Sequence, residues 1–164
     1  MRFHLIDRID AVEPGKSLRA AKFLALGEEY LADHFPGFPV MPGVLMLQAV
    51  VEAAAWLWRA STDYRHPVIV LREVRNVKYG TFMQPGRRMD VTVELVKADG
   101  DTATFKGKGT DDAGHQTVSA QFVLHGYGLA ARGAAGAVAD EQLLRHWKAR
   151  WALLRGELRG EPRV

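Results

Sequence analysis

The side chains best suited to chemistry lie between His34 and Glu52. The stretch "HFPGFPVMPGVLMLQAVVEAAAW", His34 to Trp56, opens on a histidine in a loop with three prolines and two glycines, then becomes an apolar run broken only by Gln48 and Glu52. Proline fixes φ and excludes helix or central strand, so such a loop holds His34 in one place. Imidazole is the side chain best suited to moving protons near neutral pH. Gly43 opens a run of helix formers, where backbone N–H groups lack internal acceptors and the helix dipole is positive; a carbonyl or oxyanion can dock there, and the missing side chain allows close approach. Gln48 and Glu52, four apart, share one helix face. A base, an oxyanion site and a polar stripe within apolar surroundings suit proton abstraction next to a thioester carbonyl. The residues alone equally allow Gln48 and Glu52 to sit at a subunit seam, or to bond to each other as an i,i+4 pair.

These residues need a scaffold, and the flanking sequence supplies its elements. "RFHLIDRI" and "SLRAAKFLAL", joined through "EPGK", read as a hairpin of two strands. From Val44 to about Arg59 the sequence is helical and apolar nearly all round, so this helix is surrounded by other structure. Downstream, "HPVIVLREV", "NVKYGTF", "RMDVTVELV", "TATFKGKGT" and "HQTVSAQFVLH" are strand candidates. In "MDVTVEL", Met89, Val91, Val93 and Leu95 alternate with polar residues, giving one dry and one wet sheet face. One long buried helix with no helix between the later strands predicts an α+β fold, an antiparallel sheet curled around that helix. Residues 126–139 are Gly/Ala-rich and read as a flexible linker. Residues 140–158 read as an amphipathic C-terminal helix, with Leu143, Leu144, Trp147, Trp151 and Leu154 opposite Arg145, Lys148, Arg155 and Arg159.

Composition narrows the classes of function. At 164 residues, 48% apolar and 25% charged, the chain fits one domain with a real core, here residues 1–125. Having no cysteine, it has no disulfide, thiolate metal site or cysteine nucleophile. The N-terminus lacks the layout of a signal peptide, which makes cytoplasm the expected location. The run from Val40 to Trp58 is interrupted by Pro42, Gly43, Gln48 and Glu52, unlike a membrane span of about 20 apolar residues. A net charge of +3, concentrated after residue 125, is too weak for a nucleic-acid footprint. His4, His66, His115, His125 and His146 are scattered and read as solvated or structural. Trp56 and Trp58 read as filling the core or a dimer interface, or lining an acyl tunnel; Arg72, Arg75, Lys78, Arg87 and Arg88 read as meeting an acidic partner or as a solvated face.

"HFPGFPVMPGVL" resembles the signature of the β-hydroxyacyl-ACP dehydratases of the FabA/FabZ type, and the likeness extends over roughly residues 5–125. It implies a hotdog fold, in which a sheet wraps the central helix, and a homodimer whose subunits share active sites; a trimer of dimers is compatible with it. It further implies an acyl-carrier-protein substrate, a 3-hydroxyacyl thioester that loses water to give the 2-enoyl thioester. No cofactor is called for, since proton transfer changes no oxidation state. By the same resemblance His34 removes the α-proton, the N–H of Gly43 or Val44 holds the thioester carbonyl, and Phe35 and Pro42 join them as substrate-binding residues. Family members carry Glu or Asp five positions after the glycine of Pro-Gly, where this chain has Gln48; many carry Gln one turn later, where it has Glu52. Glutamine has no proton to give. Three readings follow: Glu52 supplies the acid; His34 acts as base and then acid while Gln48 orients the hydroxyl; or the protein binds acyl-ACP without catalysis, or hydrolyses the thioester.

Overall fold

The structure, a computed structural model, describes residues 4–157. Two strands, β1 (Arg8–Glu13) and β2 (Ser17–Phe23), are followed by the helix α1 (Gly43–Ser61). Four longer strands come next: β3 (Val68–Tyr79), β4 (Arg88–Asp99), β5 (Thr102–Asp111) and β6 (Gln116–Tyr127), before a last helix, α2 (Ala134–Arg155). The sheet is antiparallel throughout, in the order β1-β2-β4-β5-β6-β3. This is the expected α+β architecture, a sheet curled around α1 with an additional C-terminal helix. No helix of the described residues is long and apolar enough to cross a membrane.

The alternation in the strand sequences becomes burial on the side facing α1. Met89, Val91 and Val93 on β4, Phe105 on β5 and Phe122 and Leu124 on β6 are buried, as are Trp56, Leu57 and Trp58 on α1. Gly107 sets how closely the sheet can curl. A Cβ there would stand 2.3 Å from Val50 Cγ1, so the bare backbone of β5 is what lets α1 approach. The glycines of "KGKG" are therefore strand residues with a packing role, and Gly109 likewise leaves room for Met89 and Thr117.

Four differences from the sequence expectations have local causes. The first strand begins at Arg8, because the N–H groups of Leu5 and Ile6 turn toward the Glu52 carboxylate and away from a sheet partner. "VIVLREV" and "NVKY" form one strand, β3, which is bulged between Arg75 and Lys78 with Asn76 at φ 54°. The stretch read as a flexible linker at 126–139 is ordered instead. β6 ends at Tyr127, and the Asp140 carboxylate accepts the N–H groups of Leu129 (2.9 and 2.8 Å) and Ala130 (2.9 Å), so α2 can begin at Ala134 and not at 140. Its other end is Arg155, capped by Gly156 in the left-handed region; residue 158, the expected end, lies outside the described residues.

Because Gly107 sits against Val50, Gly107→Ala should destabilise the protein by about 1–3 kcal/mol through overpacking. Urea denaturation measures this, and a midpoint equal to that of the wild type would show that α1 and β5 have slack between them.

Candidate active site

The His34 loop is anchored before it begins. Lys22, buried on β2, donates to Glu28 (2.6 Å) and lies 3.4 Å from Asp7, and the Tyr30 hydroxyl donates to the other Glu28 oxygen (2.6 Å). Burial and Glu28 together push the Tyr30 phenol well above its ordinary range, so it serves as a fixed donor. The loop then passes through Phe35 at φ 55°, and it is tied down at its far end by the buried pair Val40 and Met41, whose Met41 N–H donates to the Met83 carbonyl (2.8 Å).

Within that frame His34 has one ring nitrogen committed. Nδ1 lies 2.8 Å from the Val40 carbonyl oxygen, which can only accept, so in the neutral ring Nδ1 carries the proton. Nε2 is thereby the basic nitrogen. The ring is half-buried with the Phe35 ring at 4.5 Å, tilted 59°. Three residues past Val40, Gly43 starts α1 behind the N-cap Pro42, whose carbonyl accepts from Leu45 (2.9 Å) and Met46 (3.1 Å). The N–H groups of Gly43 and Val44 have no acceptor among the described residues, as expected of the first turn. The Tyr79 ring lies over Gly43, 3.1 Å from where a Cβ would be, which favours glycine here.

Gln48 and Glu52 are brought together, but not beside His34. They line a cavity of about 340 Å³ with His4, Val51, Ala55, Trp56, Arg59, Ile69, Leu124 and Trp147 among its walls; His34 is not one of them. The amide of Gln48 makes no hydrogen bond among the described residues, and it does not pair with Glu52. Glu52 is fully engaged. One oxygen accepts the N–H groups of Leu5 (2.6 Å) and Ile6 (3.2 Å), the other accepts the Trp56 indole N–H (3.4 Å), and His4 Nδ1 stands 3.9 Å away. Burial raises the Glu52 pKa, partly opposed by these donors and by Arg150.

The same cavity contains a residue that sequence reasoning missed. Positions 48, 52, 55 and 59 recur at helical spacing, so Arg59 continues the stripe of Gln48 and Glu52 two turns further on. Extending the pattern by alternating steps of four and three, through Ala55, would have found it. Trp56 and Trp58 are both buried; Trp56 also walls the cavity, whereas Trp58 packs on His66 and Phe105 in the core. His66 is buried with its pKa lowered by that burial, a structural histidine as expected. Of the basic residues considered for a partner, Arg75 pairs with Glu73, Arg87 with Asp111 and Asp112, and Arg88 with Asp90.

Comparison with solved structures places the architecture in the hotdog class. The dehydratase heterocomplex ApeI:P from Xenorhabdus doucetiae superposes with a TM-score of 0.63 at 14% identity, covering 82% of this chain and 87% of that one. The PaaI protein of the E. coli phenylacetic acid degradation operon superposes at 0.56 with 9% identity, covering 72% of this chain and 81% of its own. Residues 1–120 match the FabA-like domain, and the chain belongs to that family. Its sequence relatives include the 3-hydroxyacyl-[acyl-carrier-protein] dehydratase FabZ of an Anaeromyxobacter species, 40% identical over 121 residues that cover 71% of this chain and 75% of that protein. The FabZ of Bacillus subtilis is 33% identical over 110 residues, 67% and 78% of the two chains.

The position of Glu52 has a consequence for stability. Between the ordinary carboxyl pKa of 4.5 and its raised native value, the native state binds more protons than the unfolded one, so stability must fall as pH rises through that window. Glu52→Gln removes this contribution. Urea midpoints for wild type and variant, measured from acid to neutral pH, should show the wild type losing ground to the variant as pH climbs; a constant difference would contradict a raised Glu52.

Proposed function

We propose that this protein eliminates water from a 3-hydroxyacyl thioester carried on acyl carrier protein, giving the 2-enoyl thioester. The carrying observation is His34, whose Nδ1–H is held by the Val40 carbonyl, leaving Nε2 as a base on the loop that runs into two unused N–H groups at the start of α1. Nε2 takes the α-proton, and the charge that develops on the thioester oxygen is met by the N–H groups of Gly43 and Val44 at the positive end of α1. The C–O bond then breaks, the double bond forms between the α and β carbons, and the hydroxyl leaves as water with a proton returned by the His34 imidazolium. Gln48 orients that hydroxyl. Glu52, with both oxygens occupied by N–H donors, is a positioning residue that ties the N-terminal segment to α1. Phe35, its ring 4.5 Å from that of His34, and Pro42, the N-cap of α1, serve as substrate-binding residues beside the base and the oxyanion site.

The reading includes a cytoplasmic homodimer. His34 does not line the cavity that holds Gln48 and Glu52, so a second copy is what would set the base of one subunit against the polar stripe of the other. The long strand β3 is also an open edge of the sheet, with Val70 and Leu71 exposed on it. Such an edge is a ready template for pairing with another strand. The matching curated relatives, named for acyl-carrier-protein substrates, support the choice of carrier.

Mixing the protein with a 3-hydroxyacyl thioester and following enoyl absorbance tests the reaction. His34→Ala should cost about a hundredfold to ten-thousandfold in kcat, the usual loss of a general acid–base group. Gln48→Glu, which restores a proton donor, should raise kcat. Absence of enoyl product in either direction would defeat the dehydratase reading, and release of free thiol would replace it with a thioesterase.

A further inference from the structure

Among the described residues, Arg59 has no carboxylate in direct contact with its charge. The residue is only 5% exposed, and its Nε–H finds no acceptor among the described residues. The guanidinium lies 4.2 Å from the Trp147 ring centroid and 5.3 Å from that of Trp56, and Arg59 lines the cavity with Gln48 and Glu52. Aromatic faces attract a guanidinium but accept none of its N–H bonds. A buried donor left unpaired loses its hydration without compensation, and more so when charged. Burial pulls the Arg59 pKa down to about 10, although Glu52 opposes this.

The charge around Arg59 is unbalanced toward the positive sign. Among the described residues Glu52 is the one carboxylate in the cavity wall, and its oxygens are occupied by the N–H groups of Leu5, Ile6 and Trp56. Arg150 of α2 also acts on Glu52, and its Nε too is buried without a partner. Two guanidinium groups thus face a single, already engaged carboxylate. Apart from His4, the other walls are mainly apolar, with Val51, Ala55, Ile69 and Leu124 and the rings of Trp56 and Trp147. Along α1 the cavity runs from Gln48 to Arg59, about 16 Å at 1.5 Å per residue. That is a cleft long enough for a hydrocarbon with a cation toward its far end, and the fork of arginine matches a carboxylate bidentately.

We propose that the cavity takes the acyl chain and that Arg59 is the specificity-determining residue for a carboxylate at the chain's far end, making a carboxyl-terminated 3-hydroxyacyl thioester the preferred substrate. The proposal rests on the dehydration reading for its thioester, and on the cavity alone for its carboxylate. α2, which lies beyond the residues matched to the FabA-like domain, supplies the closing Trp147 and so shapes this end of the site.

Binding and turnover test it separately. Tryptophan emission, reported by Trp56 and Trp147 beside the guanidinium, is followed while a medium-chain fatty acid or the alcohol of equal length is titrated into the full chain. The acid should bind at least about tenfold more tightly, a difference of about 1.4 kcal/mol, and Arg59→Met should erase that preference while still binding the alcohol. Equal affinity of the wild type for acid and alcohol overturns the proposal, and that comparison needs no variant to fold. In turnover, the carboxyl-terminated thioester should exceed its methyl-terminated analogue in kcat/KM, with the ratio collapsing in Arg59→Met. A ratio unchanged by the substitution also overturns it. Turnover of neither thioester, with acid binding preferred, fails the dehydration reading and leaves Arg59 as a carboxylate site.

Discussion

The burial of α1 on nearly its whole circumference governs the rest of this molecule. A helix carrying Met46, Val50, Ala53, Trp56, Leu57 and Trp58 can be stable only if other structure encloses it, and the curled sheet does so. Enclosure comes at the cost of polar freedom, since any polar group on such a helix must find a partner or face a gap in the wrapping. Gln48, Glu52 and Arg59 are therefore confined to one stripe, along the line where the sheet leaves a cavity. Glycine at 107 allows the tight wrapping on the opposite side.

The proposed chemistry draws on two accessible features of this buried helix. Its N-terminus presents the free N–H groups of Gly43 and Val44, and the loop that delivers His34 is stiffened by Pro36, Pro39 and Pro42. Prolines alone would not aim the imidazole. The Lys22–Glu28–Tyr30 network fixes where the loop departs, and the Val40 carbonyl selects the ring tautomer. Further along, Glu52 uses its carboxylate to hold the N-terminal segment, which is why a residue that looks like an acid on a linear reading acts as an anchor in the folded chain.

Some of this was legible in the residues themselves. Alternation in "MDVTVEL" and the apolar run after Gly43 specify strand and buried helix directly, because side-chain period and burial are properties of neighbouring residues. The loop, its histidine and the two polar positions on one helix face follow from the same local rules, and the family likeness from a long spaced motif. The Gly/Ala-rich stretch misled for a related reason: composition describes what a segment does without partners, and here Asp140 provides one.

The sequence by itself thus determined the elements, the identity of the candidate base and the place of the helix start, all set by interactions within a few residues. Only the tertiary structure decided which oxygen meets which donor. That Leu5 and Ile6 bond to Glu52, 47 and 46 residues away, and that Trp147 closes over Arg59, depends on chain reversals that bring distant segments together. Local pattern carries no information on such meetings. They arise because the wrapped sheet leaves a seam along α1, where the N-terminal segment and α2 meet the polar stripe of the helix.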